Sequence, residues 1–315
     1  MNRNVAVMDC GSNSTRLLVT SPEGEQLRRE MTITRLSEGV DASRILSESA
    51  LERTRRVLSD YREMALSYGE SEIVVVATSA VRDARNRDEF VSRARAASGG
   101  SVAVISGADE ARYSFLGATA TLLDDGRPPV VLDIGGGSTE LALESEGRVW
   151  GYSTDLGCVR LSERVLGHGP VTPEAEEMAR DLISEELARA SEALTPLNTL
   201  RGRGRLVGLA GTVATLAQLV YRVSHYERAA VHHRTLTRDH VVEWRECLAA
   251  LTPDERSRLV GMVPGREDVI VAGLLVLEGV MELLGVDDLI SSEDDILDGV
   301  ASDVRCGRRP VTMDE

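Results

Sequence analysis

The chain is 315 residues long, and its 36 basic and 51 acidic residues leave a formal net charge of −15, a field that repels nucleic acids and anionic membrane surfaces. All 36 basic residues are arginines, which excludes a Walker A loop, Schiff-base catalysis and the strand lysine of protein kinases. Aromatic residues make up only 3%, too few for the stacking platforms of single-strand nucleic-acid binders.

In chain order, apolar runs predict strands near 4–8 and 15–20 around the turn Asp9-Cys10-Gly11-Ser12-Asn13-Ser14, and a third over roughly 26–36. Ser47 to Tyr68 reads as an amphipathic helix capped by Ser47, with Leu51, Val57, Leu58, Met64 and Ala65 facing inward. A buried strand over 72–77 leads to Thr78-Ser79-Ala80-Val81-Arg82, followed by a helix over 87–97, a strand over 102–105 and a helix to about Leu123. Asp124 to Pro129 has the charge, Gly and Pro of a domain boundary. Strand, glycine turn and strand then restart at Val130. Helices follow near 158–166, 173–193, 211–223, 237–250 and 266–284, with strands at 205–209 and 288–291 and a last helix near 295–306. No run of 18 apolar residues is present, and the four cysteines have no metal spacing. Cys10 reads as a small buried residue, and all four as reduced cytosolic thiols. The five histidines, His168, His225, His232, His233 and His240, share no ligand pattern, and His232-His233 reads as a solvated turn.

One pattern occurs twice. Apolar strand, Asp, glycine turn, Ser-Thr, a charged residue and a second apolar strand run from Val5 to Leu18 and again from Val130 to Ala142. Such turns expose backbone N–H groups in an anion-binding nest, and hydroxyls add donors. The strand-end Asp suits Mg²⁺, which takes carboxylate, water and substrate phosphate oxygens. After Ser-Thr the first copy has Arg16, able to hold phosphate, and the second has Glu140, able to hold metal or a metal-bound water.

These strings resemble the exopolyphosphatase and guanosine pentaphosphate phosphohydrolase (Ppx/GppA) family of the actin–Hsp70–sugar-kinase superfamily. Five further segments carry the resemblance: Ala77 to Arg82, Ile105 to Arg112, Leu156 to Leu161, Gly208 to Thr212 and Gly265 to Asp268. The chain departs from the family at Asp109, where a glutamate is common, and resembles its short two-domain form. The resemblance implies an α/β fold of two ribonuclease-H-like (actin-like ATPase) domains facing across a cleft, residues 1–125 and 126–315, with the last helix free to pack back on the first. It also implies a homodimer in the cytoplasm.

By the same resemblance Glu110 positions the attacking water, whereas on its sequence alone Asp109-Glu110 reads as complementing a helix N-terminus. Asp133, Glu140 and Asp9 are the expected ligands of Mg²⁺, or Mn²⁺. Gly11, Ser12, Asn13, Ser14, Gly136, Gly137 and Ser138 are expected to cradle phosphate, with Arg16, Arg82 and Arg266 as cations. The expected substrate is inorganic polyphosphate, cut at its terminal phosphoanhydride, or alternatively pppGpp. A sugar-kinase-like phosphotransferase, with adenosine at 208–212, and a non-catalytic polyphosphate or nucleotide sensor are the competing readings.

Overall fold

A computed structural model describes residues 3–167 and 169–313; His168 lies outside them. The chain forms two compact units. The first takes the chain up to Gly117 and the segment from Ile296 onward, and the second is Ala118–Asp295. The division at 117/118 falls before the Pro-rich linker, because the segment after it is tied into the second unit. Thr121 donates to the Asp294 carboxylate (2.6 Å), and Asp125 lies beside Arg205 (3.4 Å).

The first unit holds β1 (Asn4–Cys10), β2 (Ser14–Thr20), β3 (Gln26–Ile33), β4 (Ser71–Ala77) and β5 (Ser101–Val104), in the order β3-β2-β1-β4-β5. The first three strands are antiparallel neighbours, and β4 and β5 run parallel to β1. The second unit holds β6 (Pro129–Ile134), β7 (Thr139–Ser145), β8 (Arg148–Thr154), β9 (Arg205–Leu209), β10 (Thr235–Thr237) and β11 (Asp288–Ser291). Its order, β10-β11-β9-β6-β7-β8, repeats the first arrangement with β10 added antiparallel at the far edge. The duplicated ribonuclease-H-like topology read from the twin motifs is therefore present in both units.

Strand periodicity explains the layering of the first unit. Ala6, Met8 and Cys10 face one side of the sheet, with Leu58, Phe90 and Ala94 of the helices Glu48–Ser67 and Arg87–Ser98. Val5 and Val7 face the other side, with Tyr113, Ile296, Leu297 and Val300. A strand covered on both faces must be apolar throughout, hence the unbroken run at 5–8. The last helix, Ile296–Arg305, supplies that second cover. It comes so close that a Cβ on Gly299 would lie 2.1 Å from the Tyr113 carbonyl oxygen.

Several predicted bounds shift. Ser47 does cap its helix, accepting from the Ala50 N–H, but the inward stripe is Ala50, Leu51, Thr54, Leu58, Tyr61 and Ala65, with Val57 and Met64 half-buried. The helix after β5 ends at Thr119, and that predicted from 266 begins at Ile270. The His232-His233 pair is a half-buried stack rather than a solvated turn: the rings lie 3.7 Å apart, and His232 Nδ1 accepts from the Glu293 N–H. No helix among the described residues is long and apolar enough to cross a membrane.

Helix Ile270–Leu284 is buried along nearly its whole length. Its one buried charge, Glu278, meets Arg245 Nε at 2.9 Å and Arg180 Nη2 at 3.0 Å. Removing one partner of such a pair strands the other in low dielectric. Arg245→Met is therefore expected to destabilise the second unit by about 3 kcal/mol, read as a lowered urea midpoint.

Candidate active site

The two units present equivalent hairpins at the C-terminal ends of their central strands. In the first, the Gly11 N–H donates to the Ser14 carbonyl at 3.1 Å; in the second, the Gly135 N–H donates to the Ser138 carbonyl at 3.0 Å. A Cβ at Gly11 would sit 3.1 Å, and one at Gly135 2.9 Å, from the equivalent serine carbonyl oxygen, so a side chain would crowd both turns. The register matches too: Asp9 opposes Arg16, and Asp133 opposes Glu140.

In the first hairpin the opposed pair is neutral. Arg16 donates through Nε (3.0 Å) and Nη2 (2.6 Å) to Asp9 Oδ2. Of the expected metal ligands, Asp9 is thus held by the arginine expected to bind phosphate. Burial, with the Asp9 charge second, pushes the Cys10 thiol well up, so Cys10 behaves as packing. Ser12 and Ser79 share a hydroxyl hydrogen bond of 3.0 Å. Asn13 is 6% exposed, and its Nδ2 is buried without an acceptor, a donor awaiting a ligand or water.

Cys10 pairs with Ala77, and Ala77 with Val104, so the segments after β4 and β5 leave the same sheet edge as the first hairpin. On them the structure brings two predicted residues together. Arg82, ending the short helix Ser79–Arg82, donates from Nη1 to Glu110 Oε2 (3.0 Å) and to the Ile105 carbonyl (3.2 Å). Glu110 lies in the first turn of helix Gly107–Thr119 and is 8% exposed. The adjacent acid does different work. Asp109 accepts from the Ser106 hydroxyl (2.6 Å), which itself takes the Asp109 N–H (3.1 Å). The helix-start role therefore belongs to Asp109, and Glu110 is aimed by an arginine.

In the second hairpin the opposed residues are both acids, 6% and 1% exposed. Directly opposed like charges destabilise a strand pair. Ser153 donates to Glu140 Oε1 (2.6 Å). The donor set of a hard divalent cation, carboxylates plus water and phosphate oxygens, fits these two residues. No group of three or more His, Cys, Asp or Glu suited to a metal occurs among the described residues.

The glycine turn of this hairpin is held from behind. The Gly135 carbonyl accepts from the Cys158 N–H (2.9 Å), and that of Gly136 from the Val159 and Arg160 N–H groups (2.9 and 3.0 Å). Gly136, Gly137 and Ser138 keep their predicted place in that turn. Arg266, 7% exposed, lies with its guanidinium against Gly211, at the strand-to-helix turn where Ala210 takes a left-handed φ of 64°. Sequence reasoning missed Ser79, Ser153 and Gly157 as contributors. Ser79 and Gly157 stand inside segments already singled out, but their partners are distant in sequence.

The sequence profile of the Ppx/GppA phosphatase family matches residues 19–304. Exopolyphosphatase 2 of Mycobacterium tuberculosis (strain ATCC 25618 / H37Rv) is 41% identical over 313 residues, covering 94% of this chain and 97% of its own. Among solved structures, an exopolyphosphatase from Cytophaga hutchinsonii is 25% identical with a TM-score of 0.89, covering 98% of this chain and all of its own (100%). The Aquifex aeolicus Ppx/GppA family member is 30% identical with a TM-score of 0.78, covering 97% and 98%.

Gly157 offers a sharp test of the second turn. A Cβ there would lie 2.3 Å from the Gly136 carbonyl oxygen and 2.5 Å from the Gly137 nitrogen. Gly157→Ala is expected to displace the turn and lower turnover by about a hundredfold, the scale of a 1 Å misplacement, with an unchanged far-ultraviolet circular dichroism spectrum.

Proposed function

We propose that this chain, which belongs to the Ppx/GppA phosphatase family, is an exopolyphosphatase that hydrolyses the terminal phosphoanhydride of inorganic polyphosphate and releases orthophosphate. The observation that carries the reading is full-length similarity to an exopolyphosphatase, 41% identical across 94% of this chain. The local chemistry supports it. Hydrolysing a phosphoanhydride requires charge neutralisation, an in-line water and a group to aim that water.

Glu110 is the positioning base. Its carboxylate, oriented by Arg82, takes a hydrogen bond from the water and accepts a proton as the water oxygen bonds to the terminal phosphorus. The bridging P–O bond breaks, and the oxygen departs on the shortened chain. Ser12, Asn13 and Ser14 of the first turn, and Gly136, Gly137 and Ser138 of the second, bind phosphate oxygens. Asp133 and Glu140 would hold Mg²⁺, which supplies charge neutralisation when bound, whereas Asp9 acts chiefly by fixing Arg16. Arg266 steadies the 208–212 turn. Its guanidinium fills the space beside Gly211, since a Cβ there would fall 2.1 Å from Arg266 Cζ. This argues against adenosine seated on that face, as the phosphotransferase reading requires.

The test is orthophosphate release from polyphosphate and from pppGpp, side by side, with Mg²⁺ and with EDTA. Release from polyphosphate should dominate, should vanish in EDTA, and should fall at least about a hundredfold in Glu110→Gln while polyphosphate still binds. Faster release from pppGpp, full activity in EDTA or undiminished turnover in the variant would each overturn the corresponding part.

A further inference from the structure

The second hairpin continues into a third strand, and the register lines up a row of polar groups. Asp133 on β6 opposes Glu140 on β7, and Glu140 opposes Ser153 on β8. Directly opposed residues share one face of a sheet. The Ser153 hydroxyl spans the last gap and donates to Glu140 Oε1 at 2.6 Å, the short distance of a charge-assisted hydrogen bond.

The first unit supplies the comparison. Its equivalent row is Asp9, Arg16 and Met31. There the middle residue is a donor that engages Asp9, and the third strand carries a thioether with no hydrogen to give. A hydroxyl stands on the third strand in the copy whose middle residue is an acceptor, and not in the other.

Strand β8 lies at the edge of its sheet, and its end is tied down. The Thr154 hydroxyl donates to the Thr139 carbonyl across the same strand pair (3.1 Å), and Asp155 accepts from Arg160 Nη1 (2.6 Å). Arg160 belongs to the segment whose amides hold the second glycine turn. Ser153 is thus fixed relative to that turn, and Glu140, 1% exposed, is enclosed beside it.

A carboxylate engaged at one oxygen offers a cation its other oxygen. That suits Mg²⁺, which demands octahedral geometry and keeps several waters. It suits Ca²⁺ less, since Ca²⁺ readily takes both oxygens of a carboxylate in a larger, more flexible shell. We propose that Ser153 is a positioning residue that holds Glu140 as a one-oxygen ligand and thereby favours Mg²⁺ over Ca²⁺ at this hairpin. The inference rests on the reading that Asp133 and Glu140 would hold the cation of an exopolyphosphatase, and it deepens that reading by naming what sets the ion preference.

The experiment titrates wild type, Ser153→Ala and Ser153→Thr calorimetrically with Mg²⁺ and with Ca²⁺, and follows orthophosphate release from polyphosphate in parallel. Threonine keeps the hydroxyl and suits a strand. In Ser153→Ala the ratio of Mg²⁺ to Ca²⁺ affinity should fall about tenfold, the scale on which a lost outer partner weakens a metal ligand, and Ser153→Thr should restore it. A general loss of packing would weaken both ions alike and leave the ratio in place. A ratio unchanged in Ser153→Ala, a ratio lost equally in both variants, or a wild type that binds neither ion overturns the positioning role. Wild type that shows the hydroxyl-dependent preference but releases no orthophosphate supports the positioning role and overturns the hydrolase reading. Wild type that releases orthophosphate with the same ion ratio as Ser153→Ala overturns the positioning role and leaves the hydrolase reading standing.

Discussion

Two buried hairpins of the same shape carry opposite electrostatic instructions, and the chemistry follows from that difference. Each closes through one glycine N–H donating to a serine carbonyl, and each sets a strand-end aspartate against the residue seven positions on. In the first hairpin that residue is Arg16, and the pair is complete within the protein. In the second it is Glu140, and two acids oppose each other at the edge of a buried sheet. Cross-strand pairing of like charge is unfavourable, and Ser153 donates to Glu140 Oε1 within this pair. A duplicated fold has kept its backbone and changed the residue opposite the aspartate: an arginine in one copy, a glutamate in the other.

The first unit adds the part that duplication does not. Its sheet edge gathers the segments after β1, β4 and β5, so that Ser12 meets Ser79 and Arg82 meets Glu110. The Asp109-Glu110 dipeptide shows how finely adjacent acids are distinguished. Ser106 engages Asp109 in the helix start, while Glu110, one residue on, is turned to an arginine. This separation lets a helix-initiating segment also present a carboxylate held by Arg82. Burial of Cys10 and Cys158, which pushes both thiols up, leaves them to packing.

Much of this was legible because it is written in local pattern. The twin motifs disclosed the repeated topology, the apolar run at 5–8 disclosed a strand covered on both faces, and Ser47 disclosed a helix start. The glycine turns and the Thr-Ser before Arg82 marked segments that the structure places at the C-terminal ends of the sheet strands. What escaped was long-range. Ion pairs such as Arg16–Asp9 reassign a predicted phosphate ligand to a neighbour, and no spacing rule signals that. Gly157 stood within the Leu156–Leu161 segment without a role of its own, which is to let the 158–160 amides reach the Gly135 and Gly136 carbonyls. The short strand β10 and the one-turn helices fell below the length at which periodicity is detectable. The boundary at 117/118 was set by Thr121 and Asp294, which are distant in sequence.

The central claim is the proposal that Asp133 and Glu140 would hold Mg²⁺, and calorimetric Mg²⁺ titration of Glu140→Gln, with urea unfolding of the metal-free protein, tests it most directly. Glutamine keeps the shape and can still accept from Ser153 while removing the like charge. Mg²⁺ affinity should drop about tenfold or more, since a charged ligand is lost, and the metal-free variant should be at least as stable as wild type. Unchanged Mg²⁺ binding together with a less stable metal-free variant would contradict the account.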